Sequence, residues 1–204
     1  MELHEALTQI SEIRHQMART EVFRGFRALP VAFSGVLAVT AALAQAAWLP
    51  DPELRIPEYL LLWVGTAVVS GLAAGSEMLW RTRGPALWLR REITRLAVEQ
   101  FLPCLAAGAL LTLVLVRSAP ESLWMLPGLW QILFSLGVFA SCRLLPRATF
   151  GVAIFYLVAG LASLAFARGE AAFSPWAMGV PFGVGQWFAA VVLYRTQECR
   201  DDQP

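Results

Sequence analysis

Residues 122–142 read SLWMLPGLWQILFSLGVFASC, and residues 148–167 read ATFGVAIFYLVAGLASLAFA. Neither stretch holds a charged side chain, and each matches the roughly 20 apolar residues that a helix needs to cross a bilayer core. The same signature recurs on either side, at 28–50, 59–76, 100–116 and 171–194. These six runs take up 123 of the 204 residues, so all 31 charges fall in the other 81. Charged residues make up 15% of the chain, against about 25% in soluble domains. A soluble globular domain, a nucleic-acid-binding domain and a secreted disulfide scaffold are thereby excluded. The predicted fold class is all-α, a six-transmembrane-helix bundle occupying residues 28–195.

Arginine fixes the expected orientation. All 16 basic residues are Arg, and 13 of them lie in the N-terminal segment, the second and fourth connections and the C-terminal tail. The first, third and fifth connections hold only Arg55, Arg117 and Arg168. By the positive-inside rule both termini are expected in the cytoplasm of a multi-pass inner-membrane protein. No hydrophobic core of a signal peptide precedes the first span.

Residues 1–27 alternate charged and apolar groups. Leu3, Leu7, Ile10, Ile13 and Met17 recur at helical spacing, which predicts a cytoplasmic amphipathic helix. That stripe can lie on lipid headgroups or dock a cytoplasmic partner. Residues 81–99 form a second basic element. Trp88 with Arg90, Arg91 and Arg95 reads as an interfacial helix that feeds the third span and anchors it to anionic lipid. Residues 196–204 read as a cytoplasmic tail.

Three spans share one pattern. Leu29-Pro30, Leu102-Pro103 and Leu145-Pro146 are each followed, five residues after the proline, by Gly35, Gly108 and Gly151. Proline suits a first helical turn, and a glycine one turn on lets helices approach closely. The pattern suggests three helical hairpins, spans 1–2, 3–4 and 5–6, with convergent capping as the alternative origin. Gly71 with Gly75 and Gly179 with Gly183 form GxxxG pairs that can pack within the chain or between copies, so self-association stays open. Pro127 and Pro181 are expected inside spans 4 and 6, where each would free a backbone carbonyl for a neighbour to pair.

The chemistry available is narrow. Without lysine there is no Schiff-base or P-loop amine. Cys104, Cys142 and Cys199 form no CxxC pair, and His4 and His15 both precede the first span, so no zinc, haem or other cofactor set is expected. No Ser/His/Asp set or pair of carboxylates is evident, and no enzymatic activity is expected. Glu77 stands four residues before Arg81 and reads as a helix ion pair. The polar groups that stand out at membrane depth are Gln131 and Gln186, each beside a tryptophan, Trp130 and Trp187. The four are the candidate ligand-binding residues, with an interhelical Gln–Gln hydrogen bond as the structural alternative.

Several stretches carry a resemblance: Glu12-Ile13-Arg14, Phe23-Arg24-Gly25-Phe26-Arg27, the basic linker with Trp88 and Leu102-Pro103, Leu126-Pro127-Gly128-Leu129-Trp130-Gln131, Phe139-Ala140-Ser141 and Ser174-Pro175-Trp176-Ala177-Met178-Gly179. They resemble a bacterial group of small six-span integral membrane proteins of undefined activity, often encoded beside a winged-helix transcription regulator. Members of that group can carry a histidine near the position of Gln186; this chain has none there. The resemblance implies a membrane protein whose partners are lipids and a cytoplasmic regulator, without direct contact to nucleic acid. Two functions follow as expectations. The first is a non-enzymatic sensor or regulatory membrane partner; the alternative is a small transporter or channel for an amphipathic molecule.

Overall fold

A computed structural model describes residues 28–81, 88–142 and 148–201; the apolar stripe Leu3, Leu7, Ile10, Ile13 and Met17 lies outside them. All regular structure there is helical. The elements are α1 (Ala28–Trp48), α2 (Ile56–Arg81), α3 (Trp88–Ser118), α4 (Leu126–Ser141), α5 (Thr149–Phe166) and α6 (Pro175–Asp201). Single 3₁₀ turns, Pro120–Met125 and Gly169–Phe173, lead into α4 and α6. Six segments among the described residues are long and apolar enough to cross a membrane, and the chain is a multi-pass membrane protein. With an even number of spans, residues 28 and 195 share one side, called the terminal side below. The opposite side, carrying the two 3₁₀ turns, is the capped side.

Packing order differs from chain order. Consecutive spans pack together except α2 and α3, and the most extensive contacts join α1 to α6 and α4 to α5. The helices follow one another as α2, α1, α6, α5, α4, α3, with α4 also reaching α6. Small residues explain the choice. On α6, Gly179 lies against Ala42 and Gly183 against Val39, while Gly35 of α1 accepts the Trp187 ring, whose Cδ1 would stand 2.8 Å from any added Cβ. Between α4 and α5, a Cβ on Gly128 would fall 2.8 Å from the Gly160 carbonyl oxygen, and one on Gly160 would fall 2.7 Å from that of Gly128. Lipid offers no hydrophobic reward for helix contact, so close backbone approach and interhelical hydrogen bonds decide which helices pair.

The capped side holds a shared core. Ala41, Ala42, Leu49, Tyr59, Trp63, Leu123, Leu126, Phe173 and Met178 form one buried cluster, which draws in Leu60 of α2 and Leu115 of α3. The Tyr59 and Phe173 rings meet edge to face at 5.2 Å. Arg168 lies over the Trp124 ring at 5.9 Å, bridging the segments that lead into α4 and α6. Gly169, at φ +58°, supplies a left-handed turn that a side chain would resist.

Away from this cap, α2 and α3 are peripheral. Of the membrane-spanning window in α3 0% is buried, and of that in α2 11%, against 44% for residues 120–141. Gly71 and Gly75 on α2 have nothing within 4 Å of an added Cβ, so this GxxxG pair does not serve packing among the described residues. The α6 pair does.

Two proline expectations change. Pro103 does not open a helix; it lies inside α3, which starts at Trp88. The basic stretch with Trp88, Arg90, Arg91 and Arg95 is therefore the first turns of the span helix itself, not a separate interfacial helix. At 1.5 Å per residue α3 is about 46 Å long, and its basic end projects well beyond a core of about 30 Å. Arg95 Nε donates to Glu99 Oε1 at 2.6 Å across one exposed turn. Pro127 is not inside a helix either: α4 starts at Leu126, so Pro127 sits in the first turn, where its missing N–H costs nothing. Pro30 and Pro181 hold their expected places, near the start of α1 and inside α6, and Pro146 lies outside the described residues. Likewise α6 runs through residues 196–201, placed above in a tail.

Candidate functional site

Many of the polar groups within the bundle are committed to helix contacts. Pro181 has no N–H, so the Ala177 carbonyl four residues earlier loses its helical donor. Gln131 of α4 replaces it: its Nε2 donates to the Ala177 oxygen at 2.9 Å. The Gln131 side chain is fully buried, at 0% exposure, and its Oε1 has no hydrogen-bond partner among the described residues. Its neighbour Trp130 faces another way, with Nε1 donating to Thr112 Oγ1 of α3 at 2.9 Å. That hydroxyl in turn donates to the Gly108 carbonyl at 2.7 Å.

Gln186 and Trp187 lie elsewhere. They follow Ala177 on α6 by nine and ten residues, about 13–15 Å of helix. Both stand against Gly35 of α1, with Gln186 Cβ 3.2 Å from where a Cβ would be. The structure does not bring the two amides together, and the expected Gln–Gln bond is replaced by the bond to Ala177. The physical reason is the proline. A carbonyl orphaned in hydrocarbon is a stronger claimant for the Gln131 amide than a side chain more than two turns away. Gln186 is half-buried and makes no hydrogen bond among the described residues; Trp187 is half-exposed. Of the four expected ligand-facing residues, these two make no hydrogen bond among the described residues, and Gln131 keeps only its buried Oε1 unpaired.

A second polar centre escaped the sequence reading. Gln45, 1% exposed near the capped end of α1, uses both ends of its amide. Nε2 donates to the Phe173 carbonyl at 2.6 Å, and Oε1 accepts from Trp63 Nε1 of α2 at 2.7 Å. Phe173 ends the 3₁₀ turn just before α6, so its carbonyl has no helical donor and takes the amide instead. The signal was present: Gln45 is an uncharged polar residue inside a charge-free run. Its position three residues from the end of α1 hid it, since a glutamine there reads as interfacial. Ser135 makes a third link, from Oγ to the Ala153 carbonyl of α5 at 2.7 Å.

Two tyrosines complete the interior. Tyr156 of α5 is fully buried among Phe134 and Phe182, with ring centroids at 4.7 and 5.3 Å. Its ring reaches α6 at Gly185, where an added Cβ would lie 2.5 Å from Cζ. The hydroxyls of Tyr59 and Tyr156 are buried and have no partner among the described residues. No group of three or more potential metal ligands occurs among the described residues. Comparison of the chain with protein-family models, curated proteins and solved structures found no match.

Proposed function

We propose that this chain is a non-enzymatic regulatory protein of the bacterial inner membrane, a sensor that reports to a cytoplasmic partner through residues 1–27. The observation that supports this reading is the uneven packing of the spans. The helices α1, α4, α5 and α6 are knit by glycine contacts and α3 is fastened to α4 on the terminal side by Phe101 against Gly137 and Phe134, whereas α2 is held mainly at the capped side. The helices α2 and α3 are consecutive, and the stretch 81–95, from the end of α2 into the first turns of α3, carries Arg81, Arg83, Arg90, Arg91 and Arg95. A sensor needs an element whose positions differ little in free energy, so that differential affinity of a ligand or bilayer for one position shifts the population. A helix with few internal contacts on that side, as α2 is, meets that requirement, and bilayer thickness acts on it at fractions of a kcal/mol per Å of mismatch. Gln186 and Trp187 are the polar pair that a ligand would meet in the membrane. The transporter alternative drew on a shared Gln131–Gln186 site, which the fold separates.

The partner is the winged-helix regulator that the resemblance places beside this protein. The full chain in detergent should retain that regulator, and Leu7→Asp combined with Ile10→Asp should abolish retention while thermal unfolding of the spans stays unchanged. Retention by the double variant equal to that of the native chain would remove the docking role. Substrate-stimulated flux in proteoliposomes would favour the carrier instead.

The proposed orientation places the terminal side in the cytoplasm. In a background free of native cysteines, Leu54→Cys and Glu121→Cys should react with an impermeant maleimide on intact cells, and Trp88→Cys should not. Labelling at position 88 would reverse the orientation.

A further inference from the structure

The polar links from α2, α1 and α4 converge on one short stretch of α6 and its lead-in turn. Trp63 of α2 bonds Gln45 of α1, which bonds the Phe173 carbonyl, and Gln131 of α4 bonds the Ala177 carbonyl. Both acceptors lie before Pro181, on the capped side of the one position among residues 176–195 that cannot donate a backbone hydrogen bond. After Pro181, α6 meets α5 and α1 through Gly185 with Tyr156 and Gly183 with Val39. A helix interior that loses one backbone bond to proline is a place where a helix bends. Here the lost bond is replaced by a side chain from a different helix. We infer that Pro181 is a hinge in α6 and that the Gln131 amide is its latch, coupling the angle of the capped segment 173–180 to the position of α4.

The latch differs from ordinary interhelical glue in one respect. An intrahelical N–H moves with its own helix, whereas the Gln131 amide moves with α4. Any shift of α4 relative to α6 must therefore either carry segment 173–180 along or break the bond and expose the Ala177 carbonyl to hydrocarbon. Through Phe173, Gln45 and Trp63 the same segment is tied to α2, so hinge angle and α2 position are linked. The inference rests on the proline and the hydrogen bonds and does not require the sensor reading; a protein of any function with this arrangement would hinge here.

The test is a double-variant cycle on the full chain in nanodiscs. Gln131→Leu removes the latch and should lower Tm by roughly 2–10 °C. Pro181→Ala gives the Ala177 carbonyl its own helical donor, which makes the latch redundant. In the Pro181→Ala background, Gln131→Leu should therefore lower Tm by less than half as much. Equal losses in both backgrounds would overturn the inference. Spin labels at Trp176→Cys and Val191→Cys, about 22 Å apart along α6, read the hinge itself. Their distance distribution should broaden in Gln131→Leu and narrow again in the double variant. A distribution unchanged by Gln131→Leu would show a rigid α6 and reject the hinge, whatever the Tm values.

Discussion

Gly160→Ala should separate α4 from α5 and produce a large loss of stability. The added Cβ would stand 2.7 Å from the Gly128 carbonyl oxygen and 3.0 Å from the backbone nitrogen of Ile132. Those are backbone atoms of a packed helix, and neither can rotate away as a side chain would. The contact is also reciprocal, since Gly128 faces the Gly160 carbonyl at 2.8 Å. Overpacking typically costs about 1–3 kcal/mol, and a backbone obstacle puts this site at the upper end. Alanine returns up to ~1 kcal/mol of helix propensity, which is too little to compensate. Gly75→Ala is the matched control: nothing lies within 4 Å, so only the propensity gain remains. Thermal unfolding followed by tryptophan fluorescence should show a large fall in Tm for Gly160→Ala and no fall for Gly75→Ala. Equal behaviour of the two would contradict the assigned α4–α5 interface.

Gln45→Leu should rank next. Leucine has similar bulk but leaves the Trp63 N–H and the Phe173 carbonyl without partners in a buried site. An orphaned buried group costs about 1–3 kcal/mol, so two cost roughly 2–6 kcal/mol. Trp63→Phe orphans only the Gln45 oxygen and should cost about half as much. The same unfolding measurement checks both. Equal Tm values for Gln45→Leu and the native chain would show that the cluster on the capped side holds without its polar links.

The spans were legible in the sequence because the bilayer imposes a length and excludes charge, and both leave a direct trace in composition. The runs 28–50 and 148–167 map onto α1 and α5 within a few residues. Packing order was not legible from the repeated Leu-Pro-x4-Gly pattern. Its glycines meet different surroundings: Gly35 is in close contact with α6, while a Cβ on Gly108 or Gly151 would make ordinary contacts at 3.6 Å. Neighbour choice depends on matching small-residue surfaces, such as Gly35, Ala38 and Ala42 of α1 against Gly179 and Gly183 of α6, and no single-helix motif encodes the match. The candidate site was legible in part. A glutamine in hydrocarbon needs a partner, which correctly marked Gln131 as significant. Its partner is a backbone carbonyl exposed by a proline on another helix, and that pairing arises only once the helices are assembled. Gln45 was missed for the converse reason: depth counted along one helix says little about burial beneath a cap formed by turns distant in sequence.

The central claim is that α2 moves on the terminal side against a fixed body of α1, α3, α4, α5 and α6. Distances between spin labels in nanodiscs of thin and thick bilayers test it most directly. One pair, Leu72→Cys and Leu102→Cys, reports α2 against α3 at equal depth on exposed positions; the other, Val158→Cys and Val184→Cys, reports α5 against α6. The account predicts a broad 72–102 distribution whose mean shifts with bilayer thickness, beside a narrow and invariant 158–184 distribution. A 72–102 distribution as narrow and invariant as that of the core pair would contradict it.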